Sequence, residues 1–239
     1  MLVLGVKIDN LTKTQIERKL ESFLKSDSQH QAVLPYSLFL LEARKDREFK
    51  NLLNSASLSI ADGFGPVLAA RILSKEKLRR LSGVDFVKLI CQLATKKDEG
   101  VFLYGGREGV AVQAARVLEK KYLGLAVAGT CVGFGQGDDY VINLINATKA
   151  GILLVALGMP KQEKWIARNL KKMPAVKIAV GVGGAFDFIS GRVKRAPWFL
   201  RKLGLEWLWR LIAQPWRIKN ISRAVLGLWW VVLKERIKI

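Results

Sequence analysis

The sequence predicts an α/β fold: an open, mostly parallel, Rossmann-like sheet with helices on both faces, followed by a helical, basic C-terminal appendage. Three observations carry this reading. Short apolar runs alternate with amphipathic stretches at least six times, the signature of strand–helix–strand crossovers. Most of the runs end in Gly, Pro or Asp, at the edge where open parallel sheets gather their ligands. The crossover pattern then stops near Arg192, and Trp and Leu interleave with cations to the end. The chain therefore divides into an α/β domain, 1–195, and an appendage, 196–239.

In order, Leu2 to Ile8 reads as a strand and Thr12 to Leu24 as a helix with Leu11, Ile16, Leu20, Phe23 and Leu24 on one face. Gln31 to Leu34 is a short strand broken by Pro35. Ser37 to Leu53 reads as one long helix, apolar at Leu38, Leu41, Phe49, Leu52 and Leu53. The strand Leu58 to Ala61 ends in Asp62-Gly63-Phe64-Gly65. A helix from about Pro66 to Leu73, a basic connector Lys75 to Arg80, and a helix Val84 to Leu93 follow. Val101 to Tyr104 is a strand ending in Gly105-Gly106, Val110 to Lys121 a helix, Leu125 to Ala128 a strand, and Asp138 to Ala147 a helix. Ile152 to Leu157 is an uncharged run, as expected of a strand buried on both faces. Gly158 turns the chain, and Pro160 suits the first turn of a helix carrying Trp165, Ile166 and Leu170. Free N–H groups at that helix start make an anion site, with Lys161 and Gln162 at its lip. Val176 to Val182 is the last strand, with the loop Gly183 to Asp187 after it.

Composition narrows the function. Lys and Arg number 40 against 20 acids, a net charge of +20. Such a chain seeks phosphate, in a nucleic acid, an anionic lipid or a phosphorylated substrate. Residues 192–239 hold 12 Lys/Arg and 2 Glu, so half of the excess, +10, lies in the last fifth. The two cysteines, Cys91 and Cys131, are far apart and without Cys or His neighbours, which argues for a reducing cytosol and against disulfides or a zinc site. One histidine, His30, leaves little for His-based catalysis and reads as a surface or strand-edge residue. The N-terminus has no signal-peptide architecture.

Motifs remove several chemistries. Gly105-Gly106-Arg107-Glu108-Gly109 is only a fragment of the dinucleotide fingerprint, and the glycines around Gly133 and Gly183 miss its spacing. No Gly-Lys-Ser/Thr and no G-x-S-x-G occurs. What remains is a set of glycine turns able to cradle a pyrophosphate, cations, and two acids after strands, Asp62 and Asp187. Asp138-Asp139 is a solvated first turn of a helix rather than a metal motif.

Several blocks carry a resemblance. Gly158 to Trp165 (GMPKQEKW), Gly181 to Asp187 (GVGGAFD), Arg195-Ala-Pro197 and Leu203 to Leu208 are similar to the signature blocks of the WecG/TagA/CpsF glycosyltransferases. Ala61 to Gly65 resembles the family's aspartate block, and Gly129 to Phe134 its G-T-x-x-G-aromatic block. The resemblance implies transfer, with inversion, of an N-acetylmannosamine-type sugar from a UDP donor to a sugar on undecaprenyl diphosphate. The product serves wall teichoic acid, common antigen or capsule synthesis. By the same resemblance Asp62 is the base, no metal or cofactor is required, and Arg210 and Arg217 reach the active site from the tail. Gln162 is expected to help hold the departing UDP, Phe134 to lie against uracil and Asp187 to accept from ribose. Tyr36, Gly105, Gly106, Gly133, Gly158, Lys161, Gly183 and Gly184 complete the expected substrate-binding set. Where members carry Thr-Pro-Asn, this chain has Leu34-Pro35-Tyr36, and Asn220 replaces the last arginine of the tail cluster. These departures bear on sugar or acceptor identity, and on the alternative of an inactive sugar-nucleotide-binding module.

In the tail, Ala224 to Leu233 is an almost wholly apolar run of ten residues, half of what crosses a bilayer. Arg223, Lys234, Arg236 and Lys238 flank it. Trp-rich apolar segments bounded by cations suit a lipid interface, with Trp229, Trp230, Val231 and Leu233 inserted. An RNA-binding reading is weaker, because Leu, Val and Ile outnumber polar base-reading residues. The expected partners are thus a UDP-sugar, a polyprenyl-diphosphate-linked sugar and an anionic membrane, with no nucleic acid. The expected place is the inner face of the cell membrane, and a homo-oligomer is left open.

Overall fold

The computed structural model describes residues 1–213, 215 and 218–237, with the side chains of Arg210 and Ala213 excepted. Six parallel strands form one sheet in the order β4 (Leu58–Ser59), β3 (His30–Val33), β8 (Ile178–Gly181), β7 (Ile152–Ala156), β5 (Val101–Gly105) and β6 (Val127–Cys131). Alternate strand residues feed opposite layers, as the period of two requires. Ile152, Leu154, Ile178 and Val180 pack with helices α1 (Lys13–Lys25), α5 (Gly83–Lys97), α6 (Val110–Lys121) and α9 (Ala185–Ile189). Leu153, Val155, Phe102 and Tyr104 face α7 (Asp138–Thr148) and α8 (Lys161–Asn169). The α/β expectation with helices on both faces is met.

Local signals explain most boundaries. Thr12 and Gln15 form a capping box at the start of α1, and Ser82 caps α5 by accepting from the Asp85 N–H. Asp138, at the start of α7, is more than a solvated acid. It accepts from the indole of Trp165 at 2.9 Å and from Asn169 at 3.2 Å, tying α7 to α8.

Four expectations are corrected. The first strand does not join the sheet. Leu4 and Gly5 both take positive φ, which turns Leu2–Val3 (β1) back on Val6–Lys7 (β2) as a separate two-residue hairpin. Ser37 to Leu53 is two helices, α2 (Ser37–Ala43) and α3 (Arg47–Ser55). Asp46 breaks it by accepting from the Phe49 N–H at 2.9 Å, a new N-cap that turns Phe49 and Leu53 into the core. Asp187 is in α9 rather than in a loop. His30 stacks on Phe23 with centroids 3.9 Å apart and is partly buried in β3.

The C-terminal elements lie across one end of this sheet. Helices α10 (Trp198–Lys202), α11 (Glu206–Ala213) and α12 (Ile218–Ser222) lead through a π-helical turn, Arg223–Gly227, into α13 (Leu228–Ile237). Leu228 and Val232 of α13 are buried among Val33, Phe39 and Leu40, in the cluster that includes Ala69 and Ala70 of α4 (Gly65–Leu73). Arg223 pairs with Glu42 at 2.7 Å, and Arg44 with Glu235 at 2.8 Å. Two expected lipid contacts change accordingly. Arg223 is bound to α2, and Trp229 faces a cavity described below. Lys238 lies outside the described residues. Among those described, no helix is long and apolar enough to cross a membrane.

Gly105 shows why glycine closes these strands. Its φ is +115°, and an added Cβ would sit 2.6 Å from the Ala156 carbonyl group of the neighbouring strand. Gly105→Ala should therefore cost at least about 2 kcal/mol through strain and overpacking. Urea unfolding measures this, and a midpoint equal to that of the wild type would contradict it.

Candidate active site

Four adjacent strands, β4, β3, β8 and β7, deliver their carboxyl ends to one cavity of about 390 Å³. Leu34 and Tyr36 come from β3, Asp62 and Gly63 from β4, Gly158 and Met159 from β7, and Gly181 to Gly184 from β8. The opposite wall is the tail: Trp207, Asn220, Ile221, Val225, Leu228, Trp229 and Val232. The sheet side thus offers Asp62, Gln162 and glycine backbone among Leu34, Met159 and Val182, and the tail side is mostly apolar, with Asn220 among it.

Asp62 is held by its backbone. Its N–H donates to the Pro35 carbonyl at 2.8 Å, joining the β3 and β4 ends. The Leu81 N–H donates to the Ala61 carbonyl at 2.9 Å, bringing Arg80, Ser82 and Gly83 alongside. Gly83 at the start of α5 lies beside it: an added Cβ would make an ordinary contact of 3.5 Å with the Asp62 carboxylate. Tyr36 packs edge-on against Phe39 and lines the same cavity.

The turns after β7 and β8 are locked by one side chain. Oε1 of Gln162 accepts from the Gly158 N–H and from the Gly183 N–H, each at 3.1 Å, while the Gln162 N–H donates back to the Gly158 carbonyl at 3.0 Å. Nε2 donates to Oε1 of Glu163 at 2.7 Å. The expected anion site of free N–H groups at Gly158 is therefore altered, because that N–H is already spent on Gln162. Gln162 itself, with 3% of its surface exposed, reaches the cavity wall but serves first as an internal clamp.

Glu163 is fully buried, and its Oε2 has no hydrogen-bond partner. Burial pushes this carboxyl up to about 7, opposed only in part by the bond from Gln162. Nearby, Arg195 donates to both oxygens of Asp85, at 2.8 and 2.7 Å, and to the Ser82 hydroxyl at 2.7 Å. Burial would raise the Asp85 carboxyl, but Arg195 and Ser82 outweigh it and hold the group well below the usual carboxylate range. This fork fastens the segment that leads into the tail to the start of α5.

Of the residues singled out in the sequence, Tyr36, Asp62, Gly158, Gln162, Gly183 and Gly184 line the cavity together. Gly105, Gly106, Gly133, Phe134, Lys161 and Asp187 do not. Gly106 and Gly133 bond to each other and to the β7 end: the Gly133 N–H donates to Gly106 at 3.2 Å, and the Gly106 N–H to Ala156 at 2.9 Å. Phe134 is 67% exposed on its loop, Lys161 is exposed on α8, and the Asp187 carbonyl accepts from Val193 in the turn after α9. The Arg210 side chain and all of Arg217 lie outside the described residues.

Sequence reading missed Arg80, Arg201 and Glu206, which also line the cavity. Arg80 lies over the Phe64 ring at 5.8 Å and donates to the Arg201 carbonyl. Its position just before the Ser82 cap and Asp85 was the available signal. A basic connector instead looked solvated.

The profile of the Glycosyl transferase WecG/TagA/CpsF family matches residues 1–239. The chain belongs to this family. Three relatives carry the name N-acetylglucosaminyldiphosphoundecaprenol N-acetyl-beta-D-mannosaminyltransferase. The Bacillus subtilis protein is 34% identical over 214 residues, covering 90% of this chain and 80% of its own. The Bacillus spizizenii protein is 33% identical over 178 residues, 74% of this chain and 69% of its own. The Staphylococcus aureus protein is 27% identical over 242 residues, 98% of this chain and 92% of its own. As a member of this family the chain is a glycosyltransferase, and the cavity at the sheet edge is its candidate active site.

The buried Glu163 makes a stability prediction at this site. Its folded-state value, about 7, lies above the ordinary 4.5, so between these pH values the native chain binds more protons than the unfolded one. Stability then falls as pH rises through that window and stays lower above it. Relative to Glu163→Gln, the wild type should lose on the order of 3 kcal/mol on going from pH about 4 to about 8. Parallel urea-midpoint profiles for the two proteins would refute this.

Proposed function

We propose that this enzyme transfers N-acetylmannosamine from a UDP donor to N-acetylglucosaminyl-diphosphoundecaprenol, with inversion. The relatives' shared name supports the sugar and the acceptor. One observation of the structure supports the reading: the Asp62 cavity sets Asp62, Arg80 and the glycine turns of the sheet edge against a mostly apolar cover from the tail. An acceptor with a sugar diphosphate at one end and a polyprenyl chain at the other needs both surfaces.

In this reaction Asp62 takes the proton from the acceptor hydroxyl. The freed oxygen attacks the sugar's anomeric carbon from the face opposite UDP, and the bond to UDP breaks as the new one forms. Arg80 meets the negative charge growing on the leaving diphosphate, where a guanidinium binds bidentately. Arg210 and Arg217 are assigned the same duty from the tail. The reaction so described uses no metal or cofactor. Leu34 and Tyr36 line the pocket where members carry Thr and Asn, so they set the sugar or acceptor preference.

Asp62→Asn keeps the size of the side chain but cannot accept the proton. Turnover, read as UDP release with a short-chain prenyl-diphosphate-GlcNAc, should fall by roughly 10²–10⁴ while UDP binding persists. Near-wild-type turnover of this variant would sink the role of Asp62. A wild type that binds UDP but never releases it from any donor would point to the inactive module.

The appendage is proposed to dock on the inner face of the anionic membrane. Trp230, Leu226 and Leu233 are 70%, 67% and 46% exposed beside Lys219, Lys234 and Arg236. Deleting the whole tail from Ile221 would also remove the buried Leu228 and Val232, so point changes are the cleaner test. Replacing Leu226, Trp230 and Leu233 with Ser should abolish co-sedimentation with anionic liposomes and leave the melting temperature within a few degrees. Unchanged sedimentation would remove this face from the membrane.

A further inference from the structure

Gln162 carries three of the four hydrogen bonds a carboxamide can make. Its oxygen takes two backbone N–H groups, so its nitrogen must face the other way, into the protein. There it meets Glu163, whose side chain is wholly enclosed. The enclosure is built for this pair: a Cβ on Gly181 would lie 2.5 Å from both Gln162 Nε2 and Glu163 Oε1. The Gln31 carboxamide donates to the Glu163 carbonyl at 3.1 Å and fixes the backbone below. Among the described residues no cation acts on Glu163, and its Oε2 has no hydrogen-bond partner. Its one side-chain partner is therefore Gln162, beside its own backbone N–H.

We infer that Glu163 is a positioning residue for sugar transfer, acting through Gln162 to keep the turns at Gly158 and Gly183 joined beside Asp62. This rests on the donor-transfer reading above. Without an acceptor at Glu163, Nε2 of Gln162 becomes a buried donor with no partner, which is costly. The side chain regains a partner by swinging into the wet cavity, and then both glycine N–H groups are released. The two turns that line the donor side of the pocket part. Burial keeps the Glu163 carboxyl largely neutral below pH 7, a form that glutamine copies.

The test compares the full-length wild type with Glu163→Gln, Glu163→Leu, Gln162→Ala and the double variant Gln162→Ala/Glu163→Leu. Two readouts are used: amide hydrogen exchange at Gly158 and Gly183 by NMR, and UDP release from UDP-N-acetylmannosamine with a short-chain prenyl-diphosphate-GlcNAc. Glu163→Leu should speed exchange at both glycines and lower kcat/KM for the donor, each at least about tenfold. The double variant should be no worse than Gln162→Ala, since residues acting through one link are non-additive. Glu163→Gln should keep slow exchange and stay within about threefold of wild-type turnover, because it preserves the acceptor. Unchanged exchange in Glu163→Leu, or additive losses in the double variant, would overturn the inference. So would a tenfold loss of protection in Glu163→Gln, which decides the matter even if the leucine variant fails to fold. If the wild type itself turns over no donor, the functional reading fails, while exchange at the two glycines still judges the link.

Discussion

The site depends on a polar side chain placed where the protein has little room for one. Gln162 enters between the ends of β7 and β8, and its single oxygen satisfies one N–H from each turn. Neither glycine has a side chain of its own to fix its turn, and both take positive φ. The clamp comes at a cost: Glu163 must lie beside it with an unbonded oxygen, worth about 1–3 kcal/mol of desolvation. Gly181 is required as well, because any side chain there would occupy the space of the pair. A chain that keeps so costly an arrangement at the carboxyl edge of its sheet is specifying geometry. That geometry is the floor of the Asp62 cavity.

Asp62 is fixed differently. Its N–H is bonded to Pro35 and the connector behind it to Ala61, so two neighbouring strand ends and the start of α5 are held together. Arg195 extends this link to the tail through Asp85 and Ser82. The base candidate and the cover are therefore linked by hydrogen bonds through the start of α5. A cavity whose base and cover share supports is suited to a reaction that must exclude water from a sugar–phosphate bond.

Much of the fold was legible because it is local. The glycine turn at Gly158 and the uncharged run Ile152 to Leu157 both act within a few residues. The hairpin at Leu4-Gly5 was missed because non-glycine residues rarely take positive φ. The break at Asp46 was missed because apolar spacing continued across it. The site was half legible for a topological reason. Five of the six strand ends carry glycines and look alike in sequence, but strand order places β4, β3, β8 and β7 side by side and puts β5 and β6 beyond them. The Gly105, Gly106 and Gly133 turns are therefore spent on packing strand ends. Gln162 was seen as a lip residue since a glutamine in a first helical turn is usually solvated, and nothing in its neighbours shows that two glycines bury it.

Helix α13 presents the last constraint. Leu228 and Val232, four apart, point into the core, while Leu226, Trp230, Leu233 and Ile237 lie exposed. A helix apolar on both sides needs two apolar environments. The protein supplies one, through α2 and α4. The other side is bordered by Lys234 and Arg236, while Arg223 and Glu235 are tied back to α2 by ion pairs. The buried Leu228 and Val232 orient the helix so that the apolar row Leu226, Trp230, Leu233 and Ile237 faces outward. An exposed apolar row with cations beside it is what the proposed docking on an anionic membrane requires. The core-facing row of the same helix covers the Asp62 cavity, so a membrane under α13 would bring a lipid-borne acceptor to the apolar wall of the site.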